Sequence, residues 1–173
     1  MQKKTWLKIL VPILIVAVIC AMWFVKNPPK EAVSLVPEDN VFCLTETGPI
    51  DYETLSAYGL PILVDYGSDA CIPCIQMAPV LEKLNAEMQG KAFIKFVDVR
   101  QYYEATSNMP VQLIPSQFFF NADGTAYVPS EDVQKQIGGF KLYSEGEKHT
   151  LTIHEGGLTE EQMRLILVEM GVQ

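Results

Sequence analysis

Residues 64–84 read VDYGSDACIPCIQMAPVLEKL, and the two cysteines fall where an apolar strand gives way to a helix. The run PILVDYG over 61–67 is apolar and β-branched and ends in glycine, the profile of a central strand buried on both faces. From Cys71 to Met88 the apolar positions Ile75, Ala78, Leu81 and Leu84 recur at helical spacing, opposite Glu82, Lys83 and Glu87, and Gly90 stops the run. Cysteines at i and i+3 in a first turn have Cα atoms roughly 5 to 6 Å apart, within disulfide reach. Cys71 lies at the helix end whose unpaired N–H groups and dipole favour a thiolate, so it is the expected attacking sulfur. Cys74, one turn in and facing the core, is placed to resolve a mixed disulfide. Pro73 suits a first turn that has no use for its N–H. The pair also fits an inert disulfide, or half of a zinc site for which Cys43, His149 and His154 supply no second close-spaced pair.

Working outward, AFIKFVDV (92–99) is the next strand, and a strand, a helix and a strand within this distance make a right-handed parallel crossover. VFCLTETG (41–48) predicts an edge strand and DYETLSAYG (51–59) a short helix ended by Gly59. QYYEATSNM predicts another helix, SQFFFNADGTAYV a hairpin turning at Asp123-Gly124, and HTLTIHEGG a strand. LTEEQMRLILVEMG predicts a closing helix with a threonine cap and acids in its first turn. The order βαβαββα specifies an α/β sandwich with a mixed sheet. Cys43 reads as a lone buried thiol, the Phe118-Phe119-Phe120 run as sheet core, and His154 as a surface strand residue.

At 173 residues the chain accommodates one well-cored domain and a short appendage. Residues 9–25 carry no charge, with Trp6 just before the run and Trp23 near its end, and at 1.5 Å per residue they extend about 25 Å, enough for a short membrane-spanning helix. Lys3, Lys4 and Lys8 before that run place residues 1–8 in the cytoplasm and the body outside it. A cleaved signal peptide is the rival reading, although no small-x-small site follows the apolar run. The organisation expected is therefore a cytoplasmic end (1–8), a single-pass anchor in the cell membrane (9–25), a stiff linker (26–40) and an extracytoplasmic domain (41–173). From residue 27 onward nine basic side chains face 21 acidic ones, a balance of −12, which argues against a nucleic-acid partner.

The segment ILVDYGSDACIPCIQMAPVLEKL resembles the active-site segment of the thioredoxin family. In that family a buried acid precedes the first cysteine by six residues, as Asp65 precedes Cys71, and a helix-kinking proline follows it by eight, as Pro79 does. An Ile-Pro-Thr segment lies about forty residues after the second cysteine, and here Ile114-Pro115-Ser116 stands in its place. EGGLTEEQM resembles the glycine-bearing end of the last strand and the closing helix, with Gly156 as the glycine. The resemblance spans about 50–172 and implies a thioredoxin-like three-layer sandwich with a mixed sheet. It implies a thiol:disulfide oxidoreductase in which Cys71 is nucleophile, Cys74 resolves, and Asp65 is the buried acid that relays a proton. Ile72, Pro73, Ile114 and a cis Pro115 would form the floor under an extended substrate peptide, and Lys95 would lie near the acid. No cofactor is expected beyond the redox-active Cys71–Cys74 disulfide, and no metal.

Departures from the family pattern sharpen the expectation. Ala70 stands where the family usually has tryptophan, pointing to a dedicated partner rather than general protein reduction. Ile72 replaces the usual glycine of CGPC. About twenty residues, 128–149, are extra between the last two strands, placed to cap a sheet edge or meet a partner. Pro73 before the second cysteine resembles reducing members, so the favoured function is reduction of disulfides in exported proteins, fed by an integral-membrane thiol-electron donor. An oxidase or isomerase on the same residues, and a Cu(I) metallochaperone, are the alternatives.

Overall fold

Strand β2 (Ile62–Gly67) is buried along its whole length. It sits at the centre because both of its faces are apolar apart from one acid. A computed structural model of the chain describes residues 40–107 and 109–173. The predicted anchor over 9–25, the residues before it and nearly all of the linker lie outside the described residues. Among the described residues no helix is long and apolar enough to cross a membrane.

Around β2 stand β1 (Thr45–Glu46), α1 (Tyr52–Ser56), α2 (Ile72–Glu87), β3 (Phe93–Asp98), β4 (Ser116–Phe120), α3 (Glu131–Ile137), β5 (Phe140–Glu145), β6 (Lys148–Glu155) and α4 (Glu160–Glu169). The strands form one mixed sheet in the order β1-β3-β2-β4-β6-β5. β1 and β2 run parallel to β3, whereas β4 is antiparallel to both β2 and β6, and β5 is antiparallel to β6.

Period-two alternation divides the core. Ile62, Val64 and Tyr66 of β2 join Leu55, Phe93, Val97, Phe118 and Ile153 on one face. Leu63 joins Met77, Leu81, Leu84, Ile94, Phe119, Met163 and Ile166 on the face covered by α2 and α4. The result is the expected three-layer arrangement. Three of the four helices described start on side-chain caps: Asp51 accepts from the Thr54 N–H at α1, Ser130 from the Val133 N–H at α3, and Thr159 and Gln162 form a reciprocal capping box at α4.

Several local expectations are corrected. The buried stripe of α2 is Cys74, Met77, Leu81 and Leu84, while Ile75 is exposed. Both sets satisfy helical spacing, and the side facing the sheet is fixed by where the cysteine pair enters, not by periodicity. The segment expected as a helix near 101–109 forms only a short 3₁₀ turn, Tyr103–Thr106. The hairpin expected over 116–128 has one full strand, β4, after which Phe120 and Ala126 share a single bridge. The stretch 128–149 supplies α3 and the edge strand β5, which is only half apolar and lies on β6. Cys43 is partly exposed, not buried, and His154 is 4% exposed, not a surface residue.

Lys95 is corrected as well. It is 1% exposed and pairs in register with Val64, so its side chain lies on the face opposite Asp65. Its Nζ donates to the carbonyl oxygens of Val41 and Cys43, at 2.7 Å each, and to the Glu46 carboxylate. A buried cation with three acceptors holds the entry to the domain against the sheet. Lys95→Met is expected to destabilise the protein by about 2–4 kcal/mol, because it strands those acceptors. Equilibrium urea unfolding measures this, and a loss below about 0.5 kcal/mol would remove the clamp from the account of stability.

Candidate redox-active site

The chain leaves β2 at Gly67 and turns through Ser68, Asp69 and Ala70 before α2 begins. Asp98, at the end of β3, fixes that turn: one carboxylate oxygen accepts the Asp69 N–H at 3.1 Å, and the other accepts those of Arg100 and Gln101 at 2.8 and 3.0 Å. The Ala70 N–H donates to Ser68 Oγ. Cys71 is thereby held as the N-cap residue of α2, in extended conformation, with Pro73 inside the first turn. Cys71 and Cys74 form a disulfide with Cα atoms 5.2 Å apart. Cys71 is partly exposed and Cys74 is 4% exposed, so one sulfur faces solvent and the other the sheet.

The loop before β4 faces this pair. Ile114-Pro115 is cis, and the Ile114 carbonyl oxygen stands 3.7 Å from Cys71 Sγ. The loop is tied down on both sides, as Gly156 N–H donates to the Pro115 carbonyl at 2.9 Å and Ser116 Oγ–H to that of Leu113 at 2.7 Å. Pro115 itself is buried and Ile114 partly so, whereas Ile72 is 72% exposed, Leu113 60% and Ile75 52%. Three exposed apolar side chains thus belong to the first turns of α2 and to the loop that faces Cys71.

Beneath the pair lies Asp65, fully buried. Its Oδ1 accepts from Gln117 Nε2 at 2.8 Å, and Gln117 Oε1 in turn lies 2.7 Å from His154 Nδ1. Its Oδ2 is the one buried side-chain polar atom among the described residues without a hydrogen-bond partner. Burial pushes the Asp65 carboxyl up to about 7, partly opposed by the Gln117 amide. A crevice of about 280 Å³ beside Cys74 is lined mainly by the apolar Leu44, Ile75, Ala78, Leu81 and Phe96, with Thr45, Ser68, Asp69 and Glu82 as its polar members. Among the described residues no cluster of His, Cys, Asp or Glu forms a metal site.

A thioredoxin family model matches residues 52–142. The chain belongs to the thioredoxin family. It is 37% identical over 79 residues to the chloroplastic thioredoxin-like protein CITRX of Arabidopsis thaliana, a match covering 46% of this chain and 40% of that protein. It is 34% identical over 61 residues to thioredoxin 1 of Chlorobaculum tepidum, covering 35% of this chain and 60% of that one. The matches therefore span less than two thirds of either relative. The structure of Fasciola hepatica thioredoxin shares the fold, with a TM-score of 0.50 at 23% identity over 74% of this chain and 99% of that one.

Compared with the family pattern, this member differs beside its acid. With Lys95 on the far face, the β3 residue next to Asp65 in register is Phe96, so no lysine offsets the buried carboxylate. The sequence reading brought Cys71, Cys74, Asp65, Ile114 and Pro115 to one place, and the structure brings them together. It missed Asp98, Gln117 and His154. Gln117 carried a weak signal, as a polar residue directly before the apolar run Phe118-Phe119-Phe120 in a strand whose first four residues are buried.

Proposed function

We propose that this thioredoxin family member is a thiol:disulfide oxidoreductase that reduces disulfides in exported proteins, with Cys71 as nucleophile and Cys74 as resolving thiol. The observation that carries the reading is the Cys71–Cys74 pair at the start of α2, facing the cis Pro115 loop and standing over a buried acid. In the reduced protein the Cys71 thiolate, favoured by the helix end, attacks one sulfur of a substrate disulfide and expels the other as a thiolate. The Cys74 S–H then gives its proton to Asp65, and its thiolate attacks Cys71 Sγ. The Cys71–Cys74 disulfide forms and the second substrate sulfur leaves reduced. Two electrons pass to the substrate and no cofactor beyond the cysteine pair takes part.

Ile72, Pro73, Ile114 and Pro115 form the floor for an extended substrate segment, and the exposed Ile72, Ile75 and Leu113 favour an apolar one. Ala70 leaves that floor without a large aromatic side chain, which supports a dedicated partner over general protein reduction. Regeneration needs a thiol-electron donor. The uncharged run over 9–25 supports a single-pass anchor with the domain outside the cytoplasm, near an integral-membrane donor.

Titration of the Cys71–Cys74 couple against glutathione and dithiothreitol buffers tests the direction. A reductase is expected near roughly −270 mV, whereas a value near roughly −120 mV would mean that the protein donates its disulfide and acts as an oxidase.

A further inference from the structure

The backbone register places five side chains in one row across the sheet: Phe96 of β3, Asp65 of β2, Gln117 of β4, His154 of β6 and Phe140 of β5. The three polar members are all buried, with Asp65 and Gln117 at 0% exposure. They are linked end to end by the 2.8 Å and 2.7 Å hydrogen bonds, and the row is closed by apolar rings, Phe140 packing edge-on against His154 at 5.3 Å. Such a chain has a direction. When His154 donates from Nδ1, Gln117 must present its oxygen to the imidazole and its NH₂ to Asp65. Burial holds His154 down to about 4, so its ring is neutral near pH 7 and keeps a single N–H.

The consequence falls on the acid. Oδ1 is occupied by an amide donor, and Oδ2 is left unpartnered. A Cβ added at Gly67 would stand 3.2 Å from Asp65 Oδ2 and 3.3 Å from Cys74 Sγ, so the free oxygen and the resolving sulfur border the same gap. Other groups facing the carboxyl are uncharged. β3 offers Phe96, α2 offers Cys74 and Met77, and α4 covers this face with Met163, Ile166 and Leu167. Lys95 lies on the opposite face, bound to Glu46.

We propose that Gln117, oriented by His154, is a positioning residue for thiol–disulfide exchange: it occupies Asp65 Oδ1 and assigns Oδ2 to receive the proton of Cys74. The inference rests on the oxidoreductase reading above. In the step concerned the Cys74 S–H bond breaks and an O–H bond forms at Oδ2. The thiolate then attacks Cys71 Sγ in the mixed disulfide, and the substrate sulfur leaves with the electron pair of the broken S–S bond.

The test uses the full chain with Cys20 and Cys43 replaced by serine, so that two thiols report. Reduced protein mixed with the chromogenic disulfide dithionitrobenzoate releases one thionitrobenzoate as Cys71 attacks and a second as Cys74 closes the ring. The second phase quickens as Asp65 ionises. Gln117→Leu removes the carboxylate's one hydrogen bond and is expected to move the pH midpoint of closure up by about one unit, slowing closure at pH 7 about fivefold. His154→Phe, which keeps a ring against Phe140, is expected to move it in the same direction by less, and it decides the matter if Gln117→Leu does not fold. A midpoint unmoved in folded variants, or an equal shift in the first phase, overturns the inference. A shift in Gln117→Leu alone overturns the part assigned to His154. A wild type that releases no second equivalent overturns the oxidoreductase reading itself, an outcome distinct from closure with an unmoved midpoint.

Discussion

Replacing Cys71 by serine is expected to reduce disulfide reduction on the order of 10³-fold or more, to the level of the thiol buffer, because a serine hydroxyl is not ionised at neutral pH and forms no mixed disulfide. Replacing Cys74 instead is expected to arrest the reaction halfway. Cys71 is partly exposed and caps the start of α2, so it still attacks, but nothing remains within reach to expel the substrate. The substrate then stays bonded through sulfur, and mass spectrometry of the isolated adduct identifies it. Two results would sink the assignment of roles: adducts accumulating on Cys74 in the Cys71→Ser chain, or full turnover in either variant.

The second large effect belongs to Asp65 and separates stability from activity. Its carboxyl lies at about 7 in the fold against an ordinary 3.8, because burial disfavours the charged form. The folded state therefore keeps this proton over a range where the unfolded chain has already lost it. Stability falls as pH rises from about 4 to about 7, and the full penalty, up to about 4 kcal/mol, is present above that range. Asp65→Asn removes the penalty and is expected to be more stable than the parent at pH 8 by about 2–4 kcal/mol, with little difference near pH 4. The same change removes the proposed proton acceptor for Cys74 and is expected to slow ring closure about 10²-fold. Urea unfolding at the two pH values, paired with closure rates, checks both halves. A variant no more stable at pH 8 than the parent would mean that the buried carboxylate is stabilised by something other than Gln117.

These three residues also show how far sequence carried the reading. Cys71 and Cys74 were legible because their spacing fits the first turn of a helix that follows a strand, whereas Asp65 and Pro115 were legible only through the family resemblance, which supplies their distances from the cysteines. The phase of α2 was not, since Ile75 and Cys74 satisfy the same helical arithmetic and only packing against the sheet chooses between them. Lys95 was misplaced for a related reason. One step along a strand reverses the face, and its acceptors are two backbone carbonyls, which no residue type announces. Strand β5 was hidden because it is a half-exposed edge strand in which Lys141, Ser144 and Glu145 break the apolar pattern of an inner strand. Gln117 and His154 lie 37 residues apart, and only strand pairing makes them partners.

The Lys95 clamp also has a mechanical side. Strand β1 meets β3 through two residue pairs, Thr45 with Phe96 and Glu46 with Val97, and the buried ammonium grips the carbonyls just before it. A pull applied at Asn40 therefore loads the clamp and this short edge before it loads β2, β4 or α2, where the cysteine pair sits. Under such tension the edge is expected to peel away before the elements that hold Cys71, Asp65 and Pro115, with the lysine as the fuse, and single-molecule pulling from Asn40 checks the order.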